Sequence, residues 1–271
     1  MTINLSFQDR FAEIRNKWFL MEPAYFMVLC THKVEFNKAM KCDIAVGRGS
    51  IFINEDYFTD KSDKYLEECL KAEILRILLK HPYQRQLPNK VKMLLSSNFV
   101  LGNNTNFSEF KLNTTQQFFG SHEYDRASLE EIYDALKIED PSNGQGNGKK
   151  PDNKQGQNGQ GQGDSSDGEG EGGQSEMQIS PKSGNGGKRS LQNFDDACQS
   201  TNMAIEKTQM WQEDEYRQVE VNNIIEKIDK TTNGWGNMPG NIVDAIKKSI
   251  EPKFNYKAVF QQFRSTVLSS K

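Results

Sequence analysis

A carboxylate, a guanidinium and an imidazole share the stretch Ala72-Glu-Ile-Leu-Arg-Ile-Leu-Leu-Lys-His81, as Glu73, Arg76 and His81. Carboxylates and imidazoles bind metals and move protons, but this spacing by itself assigns no reaction. Glu73 and Arg76 sit three apart on an expected helix and can pair. A carboxylate on the inner side of so apolar a helix is costly to bury without such a partner. His81 falls at the helix end, where it is expected to bond the last carbonyls and oppose the dipole rather than ligate. The chain has three histidines, His32, His81 and His122; His122 lies in a polar segment and is expected to be solvated. No GxxxxGK[ST], GxGxxG or GxSxG pattern occurs, and no cysteine stands beside an obvious histidine partner. Cys30, Cys42, Cys69 and Cys198 are scattered without CxxC pairs. That excludes a thiolate zinc knuckle and a disulfide framework, and predicts buried free thiols in a cytoplasmic protein.

These residues need elements to position them. Ser6 with Asp9 opens an amphipathic helix through Phe7, Phe11, Ile14 and Trp18 that ends before Pro23. Ala24 to Cys30 reads as a second, short helix. Asp43 to Val46 and Ser50 to Ile53 flank Gly47-Arg-Gly49, a β-hairpin pattern. From Ser62 to His81 the apolar positions Leu66, Leu70, Ile74, Leu75, Ile77 and Leu78 predict a central helix stopped by Pro82. Val91 to Leu101 predicts a further helix, Asn103 to Tyr124 an irregular polar segment, and Ser128 with Glu131 a capped short helix. Later, Met210 to about Lys230 reads as one long helix. Asn233 to Gly240 is a turn-rich connector, and helices follow around Ile242 to Ile250 and Val259 to Val267. Phe118, Phe119 and Trp235 are expected to anchor loops.

Composition divides the chain. Of 271 residues only 35% are hydrophobic, below the roughly 45 to 50% of a typical globular chain. The deficit lies in 141–190, which holds 14 of the 21 glycines and no aromatic residue, and which therefore predicts a disordered, flexible spacer. The expected organisation is a domain over 1–140, a linker over 141–190, and a helical region over 191–271 that docks on the first domain. Formal net charge is -3, which predicts no nucleic-acid partner, and no apolar run is long enough for a membrane span.

Serial landmarks carry a resemblance: Asn54-Glu-Asp-Tyr-Phe58, the helix of Glu73, Ser96-Ser-Asn-Phe-Val-Leu101, Leu129-Glu-Glu-Ile-Tyr133, Trp235-Gly-Asn-Met-Pro-Gly240 and Phe260-Gln-Gln-Phe-Arg264. In order and spacing the chain resembles the metallopeptidase-like domain that, in bacterial proteins, precedes a von Willebrand A-like domain and accompanies MoxR-type AAA+ ATPases. The resemblance implies an α+β, mostly helical fold with a zincin-like core, a short hairpin, a Gly-rich insertion and a C-terminal helical extension. It also implies a helix bearing His-Glu-x-x-His with a further histidine five residues on, and a downstream aspartate. Here Ala72, Glu73, Arg76 and His81 stand at the matching positions and Asn98 at the aspartate position. Glu73 keeps the general-base position, both histidine ligands are gone, and Arg76 is expected to replace the charge of zinc. The chain is accordingly expected to be a catalytically inactive interaction or assembly module without a cofactor. Its expected partner is an AAA+ ATPase or a von Willebrand A-like protein. The alternative is a metal-dependent peptidase with a rebuilt zinc site drawn from Glu73, His81 and His122.

Overall fold

The computed structural model describes residues 6–139, 178–181, 189–190 and 201–250. In chain order the helices are α1 (Phe7–Met21), α2 (Pro23–Thr31), α3 (Asp63–Leu78), α4 (Lys90–Asn104), α5 (Thr115–Phe119), α6 (Leu129–Ala135), α7 (Thr201–Thr208), α8 (Glu215–Lys230) and α9 (Gly240–Ile250). The strands are β1 (Lys33–Phe36), β2 (Ile44–Gly47), β3 (Ser50–Ile53), β4 (Leu136–Glu139), β5 (Gln178–Pro181) and β6 (Arg189–Ser190). The fold is α+β and mostly helical. Among the described residues no helix is long and apolar enough to cross a membrane.

The chain forms two compact units. The described residues of the first are 6–88, 104–109 and 206–250. Here Ser6 caps α1 in a reciprocal capping box with Asp9, and the helix buries Phe11, Ile14 and Trp18. β2 and β3 form the expected antiparallel hairpin, with Gly47 opposite Ser50. β1 adds to β3 in parallel, giving the order β1-β3-β2. That third strand was not expected: Lys33-Val-Glu-Phe36 alternates polar and apolar residues, but the run is only four residues long and none of them is buried. Ser62 caps α3 through the Tyr65 N–H. Leu66, Leu70, Ile74, Leu75, Ile77 and Leu78 are all fully buried, each worth about 1.5–3 kcal/mol. Polar ties complete the packing. Lys71 bridges Glu22 at 2.7 Å and Glu67 at 3.0 Å, and the Arg10 guanidinium holds Asp63 and the Phe58 carbonyl. Glu68 accepts from the Ser108 and Glu109 N–H groups at 3.0 and 2.7 Å, fixing that loop on α3.

The second unit takes in described residues of 89–103 and 110–205. Ser128 and Glu131 form the expected capping box at α6. α5 lies inside the segment read as irregular; Thr114 with Gln117 caps it by the same reciprocal device. β4, β5 and β6 make a small sheet in that order, with Ile138 opposite Ile179. Six residues of the expected coil are thus in strands, and they include Ile179, one of its two clear hydrophobes. The rest of 141–190 lies outside the described residues. So do Cys198 and the helix expected around Val259, Phe260, Phe263 and Val267.

Helix expectations at the C-terminal side need two corrections. The long helix begins at Glu215 rather than near Met210, since Asp214 caps it through the Arg217 N–H. α7 precedes it as a separate helix.

Candidate functional site

Asp43, Glu73, Arg76 and Lys207 meet inside the first unit. α3 supplies Glu73 and Arg76 from its buried length, and the ion pair between them measures 3.3 Å from Nε to Oε1. The hairpin supplies Asp43 at the entrance to β2. Its backbone carbonyl accepts from the Asn54 N–H at 2.8 Å and its Oδ1 from the Ile44 N–H at 2.7 Å. The last turn of α7 supplies Lys207, whose Nζ lies 2.6 Å from Asp43 Oδ1 and 3.0 Å from Glu73 Oε1. All four are buried. The chain leaving α7 passes close to the hairpin. Gly47 adopts φ +153°, and a Cβ there would stand 2.3 Å from the Met210 carbonyl oxygen, so this crossing requires glycine.

The two carboxylates and two cations are formally balanced. Burial alone would raise the Glu73 carboxyl, but Lys207 and then Arg76 outweigh it and hold it below its ordinary value. Burial alone would likewise lower the Lys207 ammonium; Asp43 and Glu73 reverse that and raise it. The neighbouring thiols go the other way. Burial pushes Cys42 up to about 12 and Cys69 well above its usual range, so both stay protonated. Tyr57 is also pushed up to about 12, by burial and the Asp43 charge.

The expected site residues are distributed as follows. Glu73 and Arg76 come together as the helix spacing predicts. Ala72 is fully buried beside them. Lys207 is a second cation on Glu73 Oε1, at 3.0 Å against 3.3 Å for Arg76. His81 is 4% exposed, and burial followed by the Arg76 charge lowers its imidazole to about 3. A neutral ring cannot oppose the helix dipole as a cation. The cap is made by the backbone instead: the His81 N–H bonds the Arg76 carbonyl at 3.0 Å and the Lys80 N–H bonds the Ile77 carbonyl at 2.8 Å. This is the Schellman pattern, with Lys80 at φ 62° in the place usually held by glycine. Lys80 Nζ in turn donates to Asn222 Oδ1 at 3.1 Å and to the Ser249 carbonyl at 2.6 Å.

Asn98 is buried on α4, in the second unit. His122 is exposed in that unit, and its ring is engaged by Asp125 at 2.7 Å and Gln116 at 2.9 Å. Phe118 packs against Phe99 and Phe119, as expected of a loop anchor. Trp235 is half-buried and donates to Asp229 at 3.1 Å. Cys30 is exposed, contrary to the expectation of buried thiols, whereas Cys42 and Cys69 are buried. His32 is buried, with its Nδ1 3.0 Å from the Thr31 hydroxyl and 3.1 Å from the Val28 carbonyl and its Nε2 2.9 Å from the Tyr83 hydroxyl.

Sequence reasoning missed Asp43 and Lys207. Neither carries a local signal, since a lysine in a short polar helix normally reads as solvated. Zinc does not fit the helix positions that the resemblance would give it. Ala72 has no donor atom, Arg76 is a permanent cation, and Glu73 Oε1 is held by two protein cations. Among the described residues no group of three or more His, Cys, Asp or Glu is placed to hold a metal ion. No family model, curated protein or solved structure matches the chain.

Proposed function

We propose that the chain is a catalytically inactive, metallopeptidase-like module with a zincin-like helical core. It acts in the cytoplasm by binding other proteins, with a MoxR-type AAA+ ATPase or a von Willebrand A-like polypeptide as the partner. The observation that supports inactivity is the state of Glu73. A general base must be free to take a proton from water and must have a pKa near the working pH. Glu73 is instead clamped by Lys207 and Arg76, which hold its pKa down. The partner classes rest on the serial resemblance of the landmark segments.

The test has two arms. Purified protein is incubated with zinc, dialysed and assayed for bound metal and for hydrolysis of an unfolded protein substrate, with and without chelator. The expected result is less than stoichiometric zinc and no chelator-sensitive cleavage; one tightly held zinc per chain with cleavage makes it a peptidase. In the second arm the chain is mixed with a MoxR-type ATPase and, separately, with a von Willebrand A-like domain from the same source. Co-elution on size exclusion with either is expected, and failure with both removes the assembly role.

A further inference from the structure

Lys207 is an unusual occupant for a protein core. Its side chain is 2% exposed, and two carboxylates from other parts of the chain close on its ammonium at 2.6 and 3.0 Å. Among the described residues, fully buried Asp43 has no hydrogen-bond partner for its Oδ2. The acceptors around the ammonium are therefore not exhausted by Lys207.

We propose that Asp43 and Glu73 form a receptor for one primary alkylammonium group, filled in cis by Lys207. α7 is then a tethered ligand, and a free alkylammonium, such as a lysine side chain of another protein, takes the same place when α7 leaves. This goes beyond the reading of the chain as an inactive module and does not depend on it.

The chemistry selects this ligand class. Without Lys207 the cluster holds Asp43, Glu73 and Arg76, one positive charge short of neutrality. A monocation restores balance. A divalent metal overshoots it, since Cys42 and Cys69 remain protonated and Arg76 stands 3.3 Å from Glu73. Sodium needs a shell of oxygens that two carboxylates do not provide, whereas an ammonium presents three N–H donors to carboxylate acceptors. A guanidinium is planar and broader than the site that a lysine tip fills.

The experiment uses the full chain with Lys207→Ala, in which n-propylammonium replaces the atoms removed. The variant is expected to unfold at least about 5 °C below wild type. Millimolar propylammonium should recover half or more of that loss with a saturable dose dependence and leave wild type unchanged. Tetramethylammonium, which has no N–H, and sodium, magnesium and zinc should recover nothing. Equal amine effects on both proteins, no amine effect, or better recovery with a metal ion each overturn the receptor. If the variant does not accumulate folded, the same comparison is made on refolding yield from urea, and equal yields with propylammonium and tetramethylammonium overturn it too. Exchangeability is read on wild type from trypsin cleavage at the Lys207–Thr208 bond, which is protected while Lys207 is seated. Cleavage in native buffer faster than global unfolding is expected. Cleavage only at the rate of global unfolding shows that Lys207 is a fixed part of the fold and ends the tethered-ligand proposal.

Discussion

Arg76 Nε lies 3.3 Å from Glu73 Oε1, with the two side chains 0% and 4% exposed. Water cannot replace either partner at that depth. Arg76→Ala leaves a buried carboxylate with one of its two cations gone, and the expected cost is about 3–5 kcal/mol. The double change Glu73→Leu with Arg76→Met should recover much of it, because Lys207 still neutralises Asp43 and the new side chains pack. Urea midpoints of the three proteins check this. A shift for Arg76→Ala no larger than that of a surface change contradicts the buried pair.

Lys80 offers a second comparison with a defined sign. Lys80→Ala and Lys80→Gly both lose the bonds to Asn222 and Ser249, but only glycine relieves the left-handed backbone at φ 62°. The glycine variant should therefore be the more stable by about 1 kcal/mol. Equal stabilities remove the strain argument.

Acid should weaken the fold through His81. Its folded pKa is lowered to about 3, below the ordinary value, so the folded state binds fewer protons than the unfolded one. Its contribution is fully present above the unfolded pKa near 6.5 and is lost as pH falls from there toward the folded value. Across that window the slope is up to about 1.4 kcal/mol per pH unit from this one group. Glu73 and Glu67, both held below their ordinary values, add losses at lower pH still. Stability measured between pH 7 and pH 4.5 should fall, and His81→Asn should flatten the curve. An unchanged slope in that variant assigns the dependence elsewhere.

Much of the architecture was legible because it is written in local periodicity and caps. α1, α2, the β2–β3 hairpin, α3, α4, α6 and α9 follow from apolar spacing, capping residues and turn glycines. α5 carried the signal Thr114-x-x-Gln117, which would have revealed it. β1 carried only the brief alternation Lys33-Val-Glu-Phe36, too short to stand out, and it is held by backbone pairing to β3 rather than by burial. The candidate site was half legible. The Glu73–Arg76 pair follows from helix geometry, but the third and fourth charges come from positions whose burial depends on contacts across the chain. Only the folded partners make Asp43 and Lys207 core residues.

Gly47 tests the route by which α7 reaches the cluster. Gly47→Ala sets a methyl group against the Met210 backbone oxygen, at 2.3 Å before relaxation. Backbone cannot rotate aside as a side chain can, so the expected cost is on the order of 2 kcal/mol or more. Near-wild-type stability shows instead that the segment after α7 can shift away from the hairpin.

Glu73 and its lysine partner are separated by 134 positions in the chain. A ribosome adding about 5–20 residues per second takes roughly 7 to 27 s to cover that distance. During that interval the nascent polypeptide carries Asp43 and Glu73 with the α7 cation not yet synthesised. The hairpin and the apolar length of α3 therefore emerge with one carboxylate each that cannot yet be buried at full neutrality, and the final closing of this core has to wait until α7 has been made.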